Sequence, residues 1–170
     1  TAGLFGQQIK DVEIAGEEWA HLHWKAIEQN YSRSPHFHDV AEFLWPIYRE
    51  SANLRLAQLN RRLIQAICGF LDIGASITDS TKYRAEGGKT EKLVEICVRA
   101  AAQVYVSGPA AKGYLDTKLF ESRGIEVVWF DYEGYPDYPQ LWGSFIHNTS
   151  IIDLLFATGQ LAPTYMKFRL

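Results

Sequence analysis

Three short strand-like runs separated by helical segments constrain this chain most: residues 75–78, 104–106 and 125–130. Apolar strands alternating with amphipathic helices predict βαβα order and a parallel sheet, because a right-handed crossover returns each strand beside the last. The middle run ends in Ser107-Gly108-Pro109, and an amphipathic segment follows. Pro109 suits a first helical turn, where an N–H would lack a partner anyway. Ser107 suits a cap, and Gly108 a close approach of backbone to ligand. Free amides at such a helix start attract anions, and Lys112 and Tyr114 lie one turn further on. The same features also describe a strand–helix turn that binds nothing.

Parallel strands near residues 76, 105 and 127 would share one carboxyl edge, where α/β proteins place their ligands. That edge would collect loop 79–89, the Ser107-Gly108-Pro109 turn and loop 131–138. A ligand there becomes the favoured reading, with Lys89, Ser107, Gly108, Lys112 and Tyr114 as binding candidates. Gly87-Gly88-Lys89-Thr90 looks like the end of a phosphate loop, but Tyr83 stands where the first glycine belongs. A generic helix capped by Thr90 is therefore preferred to a nucleotide-triphosphate loop.

The first half reads as mainly helical. Ala20, Trp24, Ile27 and Tyr31 make one stripe, and Val40, Phe43, Leu44 and Ile47 a second, which Pro46 should kink or break. Leu56, Leu59, Leu63, Ile67 and Phe70 make a third, with Ser51 as its cap and Gly74 beyond its end. Ile9, Val12 and Ile14 are spaced for a short edge strand. Near the carboxyl end, Ser150-Ile-Ile-Asp153 opens a last helix that Gly159 closes, and the remainder reads as a tail. The expected fold is α/β: a three-layer-like parallel sheet with flanking helices, preceded by a mainly helical N-terminal half. One domain over residues 1–170 is the default for this length.

A net charge of −3 and a pI near 5.9 argue against a non-specific binder of nucleic acid or of anionic membrane. No apolar run approaches the roughly 20 residues of a membrane span, and no secretory signal is visible. Cys68 and Cys97 lie in apolar helical patterns and read as free core thiols of a reducing compartment, which points to the cytoplasm.

His23 and His147 are candidate general bases, since imidazole titrates near neutral pH. Asp153 could orient His147, although a carboxylate three residues into a helix has a local role as well. Each histidine could equally be a core-edge residue bonded to a carbonyl. His21 and His23 diverge on a helix, and His36 and His38 lack a Cys or Glu at ligand spacing, so no metal is expected. No motif indicates a cofactor. Tyr132, Tyr135, Tyr138 and Trp142 could wall a site for a sugar or flat base, or pack as a stiff surface loop.

Several segments together resemble the WbqC-like family of bacterial proteins. They are Trp19-Ala-His-Leu-His-Trp-Lys25 with Tyr31, Leu56-Ala-Gln-Leu-Asn60, and Gly88-Lys-Thr-Glu-Lys-Leu93. Tyr105-Val-Ser-Gly-Pro109 through Tyr114-Leu-Asp116 follows, then Gly124-Ile125, Tyr135-Pro-Asp-Tyr-Pro-Gln140 and Ser150-Ile-Ile-Asp-Leu-Leu-Phe156 with Gly159. The family pattern also has an upstream strand and helix with a Gln-Pro-x-Tyr-x-Pro-Trp-x-Gly-Tyr segment. That segment is absent here, so Thr1 is expected to begin inside a family member.

The resemblance implies a setting in bacterial surface-glycan (O-antigen) biosynthesis. It marks His23, Tyr31, Asn60, Lys89, Thr90, Ser107, Tyr114, Gln140, Ser150 and Asp153 as family-pattern polar residues. The expected function is group transfer, acyl or aminoacyl, onto a nucleotide-linked sugar or other phosphorylated intermediate. The expected catalytic residues are His23, His147 and Asp153. Tyr31, Lys89, Thr90, Ser107, Gly108, Lys112 and Tyr114 would bind this small-molecule substrate. The alternative is a non-catalytic module that binds a glycan precursor or a biosynthetic partner.

Overall fold

The computed structural model describes residues 6–16, 18–51 and 54–167. The chain divides into two compact units. One is formed by the stretch up to Ala75 together with Pro136–Lys167, and the other by Ser76–Tyr135.

The first unit is helical. Helix α1 (Trp19–Tyr31) buries Trp24 and Ile27, and α2 (Phe37–Arg49) buries Val40, Leu44 and Tyr48, one residue per turn. Helix α2 continues through Pro46, whose missing donor would face the carbonyl of exposed Glu42, so the expected break does not occur. Helix α3 (Leu56–Phe70) brings Leu63, Ile67 and Phe70 against the same core. Its N-cap is Arg55 rather than Ser51, and Gln58 accepts the Arg55 amide in the manner of a capping box. Ser51 is buried and donates instead to the Tyr48 carbonyl.

The last helix of the chain, Ile151–Thr158, completes this core with Leu154, Leu155 and Phe156. The expected tail is a 3-10 turn, Gly159–Tyr165, with Ala162 fully buried. Residues Ile9–Asp11 form a 3-10 turn and not an edge strand, although Glu13 makes one antiparallel bridge to Arg55. Ile9 is exposed.

The second unit holds the sheet. Helix α4 (Lys89–Arg99) leads to β1 (Val104–Ser107), then a 3-10 turn over Pro109–Gly113, α5 (Thr117–Glu121) and β2 (Glu126–Trp129). The strands pair in parallel, with Tyr105 opposite Val127 and Ser107 opposite Trp129. Val94, Cys97, Ala111, Leu115, Phe120 and Ile125 form the core beneath them, and Phe120 stacks on Tyr105 at 4.8 Å. Val104 and Val106 point to the other face and are exposed.

The α/β expectation holds as a mix of helices with a small parallel sheet. The strand expected at 75–78 is absent, and the sheet has two strands among the described residues. Ala75, Ser76 and Thr78 are exposed, whereas a parallel strand is normally covered on both faces. The segment after Pro109 is also shorter than expected. Its chain turns at Tyr114 and restarts at Asp116, whose carboxylate caps α5 through the Lys118 amide. No helix among the described residues is long and apolar enough to cross a membrane.

Candidate functional site

In the first unit, Ser150 precedes the last helix, α6 (Ile151–Thr158), and the Asp153 amide bonds back to the Ser150 carbonyl at 2.9 Å. That first turn aims the Asp153 side chain at the loop 136–149. Tyr31, at the end of α1, donates to Asp153 Oδ1 at 3.0 Å. On the other oxygen, Oδ2, Tyr138 donates at 2.7 Å, Gln140 at 2.9 Å and Thr149 at 3.4 Å. Asp153 is thus an acceptor-only group surrounded by donors, the arrangement that suits a carboxylate.

Each donor is fixed from elsewhere. Tyr31 stacks on Phe156 at 4.8 Å. Tyr138 stands edge-on to Phe145 and Tyr165. Gln140 also binds the Ile146 backbone in both directions. Burial and the neighbouring Asp153 push the Tyr31 phenol up to about 12. Burial is likewise the largest cause of an upward shift at Tyr138, to which its bond to Asp153 adds, while its bonds with Thr149 and Gln140 act the other way.

The same loop carries His147. Its Nε2 lies 3.6 Å from Asp137 Oδ1, an ion-pair distance beyond hydrogen-bond range, and both side chains are exposed. Its ring stands edge-on to Phe145 at 4.7 Å. The carboxylate facing His147 is therefore Asp137, and Asp153 serves Tyr31, Tyr138, Gln140 and Thr149 instead. His23 lies on the exposed side of α1, its ring edge-on to Tyr48 with the ring centres 5.3 Å apart, and faces no carboxylate among the described residues. The structure brings Tyr31 and Asp153 together and leaves His23 outside their network.

The remaining candidates belong to the second unit. Lys89 opens α4 and is exposed. Gly88, not Thr90, is the N-cap. Thr90 is buried, and its hydroxyl receives the Asp116 amide at 3.5 Å. Glu91 occupies the mouth of this helix: a Cβ on Gly88 would lie 2.5 Å from its Oε2. An acidic residue in this first turn suits the positive end of the helix.

Ser107 ends β1, and its carbonyl accepts the Phe130 amide at 2.8 Å. Gly108 caps the following 3-10 turn, where a Cβ would stand 3.3 Å from the Tyr132 hydroxyl. Lys112 lies over the Trp129 ring at 5.6 Å, and Tyr114 is 67% exposed rather than buried as an amphipathic helix would require.

Sequence reasoning missed Asp137, Gln140 and Thr149 as parts of one arrangement with Tyr138. Gln140 carried a signal, its place in the family-like segment 135–140. Asp137 lies in the same segment, but nothing there pointed to His147, and Thr149 carried no signal, because an irregular loop has no period to read. Tyr138 is not a free wall for a ligand, since its hydroxyl is committed to Asp153. Trp142 is 54% exposed, but its indole N–H donates to the Asn30 carbonyl at 3.0 Å and Arg33 lies over its ring. No cluster of three or more metal-ligating side chains occurs among the described residues.

Against known proteins, residues 2–165 match the WbqC-like protein family. The chain is 48% identical over 166 residues to the uncharacterized protein Rv1507c of Mycobacterium tuberculosis (strain ATCC 25618 / H37Rv), covering 98% of this chain and 72% of that protein. No solved structure matches.

Proposed function

The chain belongs to the WbqC-like protein family, and we propose that it acts in bacterial surface-glycan (O-antigen) biosynthesis as a cytoplasmic enzyme transferring an acyl or aminoacyl group to a nucleotide-linked amino sugar. The observation that carries the reading is His147, exposed and facing Asp137 at 3.6 Å on a loop tied to Asp153. An imidazole beside a carboxylate is the commonest arrangement for moving a proton at neutral pH. His23, which faces no carboxylate among the described residues, is the lesser candidate.

In the proposed reaction the sugar amine attacks the carbonyl carbon of a thioester or ester donor. The C–N bond forms as the C–S or C–O bond breaks. His147 takes the proton from the attacking nitrogen and returns it to the departing sulfur or oxygen, and Asp137 stabilises the imidazolium between the two steps. Asp153 holds the loop, and Tyr31 ties Asp153 to α1.

Anion recognition is proposed separately for the second unit. There Lys112 over Trp129, with Ser107, Gly108 and exposed Tyr114 nearby in the chain, and Lys89 on α4 supply the polar groups. Binding of a uridine diphosphate probe that weakens in Lys112→Ala tests that part by itself.

The test of the reaction incubates the protein with nucleotide-linked amino sugars and acyl thioesters, read by mass spectrometry. An acylated sugar whose formation needs His147 supports the proposal; no product from any pair, or full activity in His147→Ala, overturns it. The rival reading, a binding module, is favoured by the exposed and anchored Trp142 with Arg33 over its ring. Thermal stabilisation by a sugar nucleotide without turnover would select it.

A further inference from the structure

Gln140 is the most fully engaged side chain in the loop 136–149. Its Oε1 accepts the Ile146 amide at 2.8 Å, while its Nε2 donates to the Ile146 carbonyl at 2.9 Å and to Asp153 Oδ2 at 2.9 Å. The two short donations use both hydrogens of the amide nitrogen, and the 3.4 Å approach to the Tyr138 hydroxyl shares one of them. A flipped amide would set a carbonyl oxygen against the Ile146 carbonyl and the Asp153 carboxylate, so only one orientation works. Gln140 and Ile146 therefore close the loop as a paired residue closes a ladder.

His147 follows Ile146 directly, and Asp137 lies three residues before Gln140. Their side chains are exposed, and an ion pair at 3.6 Å between exposed groups has little energy of its own to hold a geometry. What holds it is the closed loop. The His147 ring leans on Phe145, Phe145 leans on Tyr138, and Tyr138 and Gln140 both bond Asp153 Oδ2. Both supports of His147 thus run back to one carboxylate oxygen, one through Tyr138 and the other, by hydrogen bonds to the adjoining backbone, through Gln140.

We infer that Gln140 is the positioning residue of the His147–Asp137 pair: by clasping Ile146 to Asp153 it sets the imidazole opposite its carboxylate. The inference rests on the reading of His147 as the working base, and its readout is independent of turnover. Nuclear magnetic resonance of the whole chain supplies it, through cross-relaxation between the His147 ring protons and the Asp137 β-protons, and through exchange of the Ile146 amide.

The wild-type chain shows the cross-relaxation and a slowly exchanging Ile146 amide. Gln140→Ala loses the cross-relaxation, and Ile146 exchange accelerates at least about tenfold, the equivalent of one lost hydrogen bond. Gln140→Asn keeps the amide but is one methylene too short to reach Ile146, and it gives the same two losses; it decides the matter should the alanine variant not fold. A folded variant that retains the His147–Asp137 signal overturns the inference and leaves Gln140 a stabilising residue only. A wild-type chain without the signal overturns both this inference and the proposed base. Failure to find any acyl transfer, with the signal still following Gln140, removes the reaction and leaves the positioning role.

Discussion

Tyr31 and Asp153 stand 122 residues apart in sequence and are joined by a 3.0 Å hydrogen bond from the phenol to Oδ1. The bond ties the end of α1 to the start of α6 within the first unit. Because Tyr138, Gln140 and Thr149 take the other oxygen, the two sides of Asp153 do different work. Oδ1 joins helix to helix, and Oδ2 joins helix to loop.

Removing one side costs less than removing the centre. Tyr31→Phe deletes a single bond to a charged acceptor and keeps the ring stacked on Phe156, so unfolding in urea should show a loss of about 1–2 kcal/mol. Asp153→Ala leaves Tyr31, Tyr138 and Gln140 without their acceptor and should cost about 2–3 kcal/mol. Equal losses in the two variants would mean that the loop side of Asp153 contributes nothing.

The same phenol makes stability depend on alkaline pH. Burial and Asp153 favour its neutral form, raising it from 10.0 to about 12. Below pH 10.0 the phenol is neutral whether folded or unfolded, and the stabilisation is complete. Between pH 10.0 and about 12 the unfolded chain releases this proton while the folded chain keeps it, so stability falls across that window. Urea titrations over the window should show the decline, and Tyr31→Phe should flatten it relative to wild type. Tyr138, raised in the same direction, will leave a residual slope.

The helices were legible because their stripes repeat at a period that one face can bury. Trp24 and Ile27, or Val40 and Leu44, show the core without any tertiary knowledge. The run 75–78 misled because four residues carry no usable period, and whether they pair depends on partners far along the chain. The turn after Ser107 was placed correctly as a strand end, but Asp116, an N-cap residue, restarted the helix later than Pro109 suggested. The site was legible only in part. Asp153, Tyr31 and Asp137 each sat in family-like segments, yet nothing local joined Asp153 to Tyr31 or Asp137 to His147.

Gly159 closes α6 at φ +54 and ψ −129, a conformation open to glycine and strained for other residues. A Cβ there would lie 2.5 Å from Nδ1 of His36. Gly159→Ala therefore combines backbone strain with a collision and should cost about 2–4 kcal/mol in chemical denaturation. In the double variant with His36→Ala the collision disappears while the strain remains. The pair should be non-additive, with the double variant more stable than the sum of the singles predicts. Strict additivity would show that the ring moves aside freely.

Cys97 is buried in the core of the second unit, and burial pushes its thiol up, which lowers its thiolate fraction. Cys68, on α3, is only partly buried. A maleimide probe read by peptide mass mapping should therefore label Cys68 first, and Cys97 only under conditions that unfold the second unit. Rapid labelling of Cys97 in the native chain would contradict its packing against Val94, Ala111 and Phe120.

If His147 is the base, its variants should separate chemistry from folding. Both His147 and Asp137 are exposed, so His147→Ala and Asp137→Asn should leave thermal unfolding nearly unchanged, as surface substitutions do. On the substrate pair that the acylation screen identifies, His147→Ala should lower kcat by about 100-fold or more, the usual yield of a positioned base. Asp137→Asn keeps the imidazole but removes the charge that stabilises its cation, and should fall by a smaller factor, about tenfold. His23→Ala serves as the control and should match wild type, because His23 packs against Tyr48 and faces no carboxylate among the described residues. A loss in His23→Ala with none in His147→Ala would move the base from the loop to α1.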